Sequence, residues 1–135
     1  MRIVIDASVA VKWVLNEPRT EAALVLRDEE LIAPAIWLAE AANALWQHLR
    51  LGELNRQQAL ARLSELGKAP IASLAIEPHV ARALELAAEA DHPVHDCIYL
   101  ALALHQRAHV VTDDRRFLAA AARLNLGERV RLLGS

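Results

Sequence analysis

The chain opens on an unbroken apolar run, Ile3-Val4-Ile5, that ends in a carboxylate, Asp6. Three β-branched residues without a polar break predict a strand buried on both faces, the habit of a parallel sheet. Short apolar runs recur at Leu31-Ile32-Ala33-Pro34, Ile71 to Ile76, His109 to Thr112 and Val130 to Leu133. Between them the apolar spacing is helical. Val9 to Leu15 reads as a short helix stopped at Asn16-Glu17-Pro18. Thr20 reads as the N-cap of the next helix, with Glu21 at its positive end. A long helix spans Ala35 to Leu51, with Gly52 as its stop. Asn55 caps a further helix that closes at Gly67, and Pro78 suits the first position of one that runs to Ala90. Asp91-His92-Pro93 breaks the chain, and helices follow over His95 to Arg107 and Asp114 to Leu124. Strands alternating with helices predict a three-layer α/β/α domain with a mostly parallel central sheet. No repeat or linker interrupts this pattern, so residues 1–135 are expected to form a single domain.

Composition narrows the function. Hydrophobic residues make up 55% of the 135 positions, which excludes a disordered chain. The formal net charge is −2, so no global basic field draws nucleic acid; such binding needs a local patch or metal ions. One cysteine, Cys97, allows no internal disulfide, and Asp6 interrupts the only N-terminal apolar run. The expected compartment is therefore the cytoplasm. No apolar run reaches the roughly 20 residues of a membrane span.

Four acidic positions stand where a strand has ended or a helix has begun: Asp6, Glu40, Asp96 and the pair Asp113-Asp114. In a parallel α/β sheet those points gather at one edge. Each has a plainer reading alone: Asp6 as a helix cap, Asp96 and Asp114 as first-turn acids, Glu40 as a solvated side chain. Together they would oppose one another's ionisation, and a divalent cation is the natural compensation. All-oxygen donors favour Mg²⁺ or Mn²⁺ over zinc. Asn43, three residues after Glu40, shares its helix face.

Asp6-Ala7-Ser8 after a strand, Glu40-x-x-Asn43, Asp96-x-x-Tyr99-Leu100-Ala101 and Thr112-Asp113-Asp114-Arg115-Arg116-Phe117 occur in that order. The set resembles PIN-domain ribonucleases and, more narrowly, VapC-type toxins of toxin–antitoxin pairs, over nearly the whole chain. The resemblance implies a metal-dependent endoribonuclease in which a metal-activated water attacks an RNA phosphodiester. It makes Asp6, Glu40, Asp96 and Asp114 the catalytic residues and the holders of one or two Mg²⁺ or Mn²⁺ ions. Glu40 is then either a ligand or the group that orients water. The family's fourth acid maps to Asp114, and Asp113 holds the variable position beside it, so either could face the metal. Ser8, Asn43, Thr112 and Asp113 become orienting groups around ligands or substrate. The implied partners are RNA and a cognate antitoxin.

The six histidines do not make a zinc site: His92 and His95 lack the further Cys or His that zinc recruits. Cys97, at the start of an apolar helix, reads as a small buried hydrophobe. Arg115 and Arg116 are candidates for RNA phosphate contacts, with Arg50, Arg56 and Arg62 as helpers; all five also read as solvated surface. Lys12 lies either near the cleft or along Trp13. The apolar residues Ile36, Trp37, Leu38, Leu45, Trp46 and Leu49 exceed one core face, which predicts a homodimer and an antitoxin groove on the helices from Ala35 to Gly67. Two alternatives share some of these features: a housekeeping RNA-processing nuclease, and an aspartyl-phosphate phosphotransfer domain. The second lacks its marks, since Ser8 stands where a dehalogenase-like fold wants an acid and no lysine follows Lys68.

Overall fold

A computed structural model describes residues 2–135. Five strands, β1 (Arg2–Ile5), β2 (Glu30–Pro34), β3 (Ile71–Leu74), β4 (His109–Thr112) and β5 (Val130–Leu132), form one sheet in the order β3-β2-β1-β4-β5. Every neighbouring pair is parallel, so the expected mostly parallel sheet is parallel throughout. Val4 and Ile5 are wholly buried, as an uninterrupted apolar strand at the sheet's centre requires.

Helices flank the sheet in a three-layer α/β/α arrangement. They are α1 (Ala7–Ala10), α2 (Thr20–Val25), α3 (Trp37–Arg50), α4 (Arg56–Leu66), α5 (Val80–Ala90), α6 (Val94–Gln106) and α7 (Arg115–Arg123). The chain steps outward from β1 through β2 to β3, then returns to the other side of β1 as β4. That reversal is a topological switch point, where the crossovers diverge and leave a crevice beyond the carboxyl ends of β1 and β4.

Local signals account for most boundaries. Asn55 accepts from the Gln58 N–H while the Gln58 side chain accepts from the Asn55 N–H, a reciprocal capping box. Gly52 sits at φ 79°, the left-handed geometry that stops α3 and that glycine adopts without strain. Thr20 differs from its expected role. It is the first helical residue of α2, behind Arg19 in a left-handed conformation. Its hydroxyl donates to the Glu17 and Leu15 carbonyls and accepts from the Glu17 N–H, tying the preceding turn instead. Pro78 opens a 3-10 turn, Glu77–His79, that leads into α5, so the helix proper starts two residues late.

Helix α6 is buried from Asp96 to Ala103 without a break. A helix apolar nearly all round belongs in the interior, and α6 packs against β1, β2, β4 and α5. Asp96 in its first turn is thereby carried to the sheet edge inside the core.

Candidate active site

Asp6 is the N-cap residue of α1, yet its side chain makes no capping bond. Its Oδ2 accepts instead from the Ser8 hydroxyl at 2.6 Å and the Thr112 hydroxyl at 2.7 Å. Each hydroxyl also accepts from the turn after β4: Ser8 Oγ from the Asp113 N–H at 3.0 Å, Thr112 Oγ1 from the Asp114 N–H at 3.1 Å. The ends of the two central strands are thus stitched together around one carboxylate.

A cleft of about 210 Å³ opens there, lined by Asp6, Ser8, Glu40, Asn43, Gln47, Asp96 and Asp114, with Ala7 and Ala44. A larger pocket of about 420 Å³ lies elsewhere, between α3 and α4, and is almost wholly apolar. The smaller cleft holds the groups capable of chemistry, so it is the candidate active site.

The four expected acids all face it, from four elements. Asp6 follows β1, Glu40 lies in the first turn of α3, Asp96 in the first turn of α6, and Asp114 caps α7 by accepting from the Arg116 N–H at 2.9 Å. Asn43 lines the cleft one turn after Glu40, and Thr112 is buried beneath it. Asp113 turns away. Its carboxylate takes Arg19 at 2.7 and 3.1 Å and the buried Lys12 at 3.2 Å. Lys12 therefore does not lie along Trp13, whose ring face carries Arg27.

Burial governs the electrostatics. It pushes the Asp6 carboxyl up to about 6, opposed by the two hydroxyl donors and aided by the charge on Asp96. Burial likewise raises Glu40; the Tyr99 hydroxyl pulls it down, and Asp6 and Asp96 push it further up. For Asp113, burial works upward but is overcome by Arg19 and Lys12, which hold the carboxyl below the ordinary range. Burial raises the Cys97 thiol to about 11, with Asp96 adding to it, so Cys97 is an inert core thiol and no nucleophile.

Two side chains named in the sequence, His92 and Tyr99, hold the acids, a role the sequence reading did not give them. His92 Nε2 lies 2.6 Å from Asp96 Oδ2. The Tyr99 hydroxyl donates to Glu40 Oε1 at 2.5 Å. Gln47, not singled out, lines the cleft one turn beyond Asn43. The i,i+4 spacing of Asn43 with Gln47 on α3 was a readable signal. His95 is exposed, with Nε2 at 3.6 Å from Asp96 Oδ1. Arg115 and Arg116 are exposed beside Asp114. Arg50 stacks on Trp46, Arg62 donates to the Val14 carbonyl, and Arg56 lines the apolar pocket.

The donor chemistry fits a hard divalent cation. The cleft offers carboxylate oxygens, and burial makes their unpaired charge unfavourable. Among the described residues, no three acid, His or Cys side chains stand ready-gathered around a single ion. The Asp6, Glu40 and Asp96 carboxylates are each fixed through one oxygen by a protein group, as metal-ligating carboxylates commonly are.

Comparison with known proteins agrees. The PIN domain family model matches residues 3–123. Ribonuclease VapC3 of Pyrobaculum aerophilum is 31% identical over 121 residues, covering 86% of this chain and 92% of the relative. Two solved structures share the fold. PAE2754 of Pyrobaculum aerophilum has a TM-score of 0.71 at 23% identity, covering 95% of this chain and 90% of its own. VapC20 of Mycobacterium tuberculosis, described as a sarcin-ricin loop cleaving toxin, has a TM-score of 0.68 at 16% identity, covering 87% of this chain and 94% of its own. With four carboxylates at the switch point of a parallel sheet and a family match over most of its length, the chain belongs to the PIN domain family.

Proposed function

We propose that this protein is a metal-dependent endoribonuclease and the toxin of a toxin–antitoxin pair. The observation that carries the proposal is the convergence of Asp6, Glu40, Asp96 and Asp114 on one cleft in a PIN-domain chain related to a VapC ribonuclease. VapC-type PIN nucleases depend on metal, and Mg²⁺ or Mn²⁺ is the ion this oxygen donor set favours.

Asp6, Asp96, Glu40 and Asp114 would hold the ion. When bound, it supplies an activated water and neutralises charge developing on the phosphate. The chain's own groups do the positioning. Ser8 and Thr112 fix the Asp6 carboxylate, His92 fixes Asp96, and Asn43 offers an uncharged amide to the substrate without adding to the acid repulsion. Arg115 and Arg116, exposed beside Asp114, supply the positive charge an RNA backbone needs where the chain as a whole is acidic.

The toxin reading is supported by the apolar pocket of α3 and α4, lined by Leu45, Trp46, Leu49, Leu60 and Leu63 with Arg56 at its edge. Trp46 and Leu60, both in its lining, are 49% and 62% exposed. This pocket is assigned to the antitoxin, as a groove for an amphipathic segment. A homodimer is the second assembly proposed for the same helix pair. Its test is light scattering at micromolar concentration, where a monomer would rule it out. No helix among the described residues is long and apolar enough to cross a membrane.

The deciding experiment is RNA cleavage by purified protein with Mg²⁺ or Mn²⁺, against EDTA and against Asp6→Asn. Cleavage that requires both metal and Asp6 is expected. Cleavage that survives Asp6→Asn would overturn the site.

A further inference from the structure

Tyr99 is the largest wholly buried side chain, and its hydroxyl ends against a carboxylate. A buried phenol needs an acceptor, and a main-chain carbonyl would serve at little cost. Here the acceptor is Glu40 on a different helix, at 2.5 Å. Drawing a carboxylate toward the interior to satisfy a phenol is unfavourable unless that carboxylate is needed where it stands. Tyr99 and Asp96 lie one turn apart on α6, so this helix carries one of the cleft acids and also the tether of another. Glu40, in the first turn of α3, lines the cleft while Oε1 is occupied by the phenol.

We infer that Tyr99 is a positioning residue: its hydroxyl holds Glu40 by one oxygen and so ties the acid of α3 to the helix that carries Asp96. The inference rests on the metal-nuclease reading and extends it to a residue that touches neither ion nor RNA. Tyr99→Phe removes the tether and keeps the packing. Loss of an outer partner of this kind typically weakens metal binding by about 10- to 100-fold.

The test is Mn²⁺ binding by calorimetry, without RNA, for wild type, Tyr99→Phe, Glu40→Gln and the double variant. Tyr99→Phe is expected to weaken Mn²⁺ binding about tenfold at the low end of that range. The double variant should bind no worse than Glu40→Gln, because the tether has no carboxylate left to place. Ile32→Val, a buried change on β2 away from the cleft, controls for reduced stability and should bind as wild type does. Wild-type affinity in Tyr99→Phe, or effects that add in the double variant, would overturn the inference while leaving the metal site standing. A wild-type protein that binds no Mn²⁺ would overturn the metal-nuclease reading and this inference with it.

Discussion

The hydroxyl of Thr112, at the end of β4, donates to the carboxylate of Asp6, at the end of β1, at 2.7 Å and in full burial. The bond favours the charged form of an acid that burial drives toward neutrality. Thr112→Val keeps the shape and removes the donor. It should raise the Asp6 pKa above its present value of about 6 and lower stability at pH 7 by about 1–3 kcal/mol. Asp6 can be followed by the carboxyl carbon shift in NMR, and an unmoved titration would refute the role given to Thr112.

Asp6 also sets a pH dependence in metal-free protein. Its folded value, about 6, lies above the ordinary 3.8, so between those values the folded protein holds a proton that the unfolded chain has released. Stability from this group therefore falls as pH rises through that window. Asp6→Asn should stabilise the EDTA-treated protein at pH 7 by about 3 kcal/mol and leave it little changed near pH 4. Urea denaturation at both pH values measures the difference, and a pH-independent gain would contradict it.

Asp113 is expected to matter for stability more than for metal. Asp113→Ala strands the buried Lys12 with only the more distant Glu17 at 3.6 Å. Breaking a largely buried ion pair on one side should cost about 3 kcal/mol. Denaturant midpoints test this, and Mn²⁺ affinity per folded molecule should stay near the wild-type value, because the Asp113 carboxylate is taken by Arg19 and Lys12 and does not line the cleft.

Arg115 and Arg116 predict salt dependence. If both meet RNA phosphates, the double Ala variant should bind RNA with a log–log salt slope shallower by about 1.4, at about 0.7 for each single-strand phosphate that is no longer neutralised. Fluorescence anisotropy over a salt series reads this. An unchanged slope would return both arginines to the solvated surface.

Leu60→Asp places a charge in the apolar pocket of α3 and α4, at a residue already 62% exposed. Folding and RNA cleavage should persist, and antitoxin affinity should fall by at least about tenfold, as for an anchor at an interface centre. Calorimetry with the antitoxin distinguishes this from a pocket that binds nothing.

The sheet was legible because its strands are short apolar runs bounded by turns, and the crevice because a parallel sheet exposes its switch point. Asp6, Glu40, Asp96 and the pair Asp113-Asp114 could be marked because each follows a strand or opens a helix, and the family resemblance chose Asp114 of the pair. What the sequence hid were partners distant in the chain. Tyr99 and Glu40 stand 59 positions apart, and no periodicity links them. Pro93 disguised the pairing of His92 with Asp96, since it reads as a break between them, whereas the structure starts α6 directly after it. Thr20 misled because its hydroxyl found carbonyls in the preceding turn before it could cap anything. Asp113 and Asp114 became distinct only once Arg19 and Lys12 were seen to claim the first.

The position of β1 bears on how such a protein is made. Of the five strands β1 is made first, yet the hydroxyl of Thr112, at the end of its neighbour β4, follows Asp6 by 106 positions. At about 5–20 residues per second, translation needs roughly 5–20 s to pass from Asp6 to Asp114. Throughout that interval the nascent chain lacks one wall of its acidic cleft. The complete set of cleft acids therefore exists only after Asp114 has been made and β4 has paired with β1.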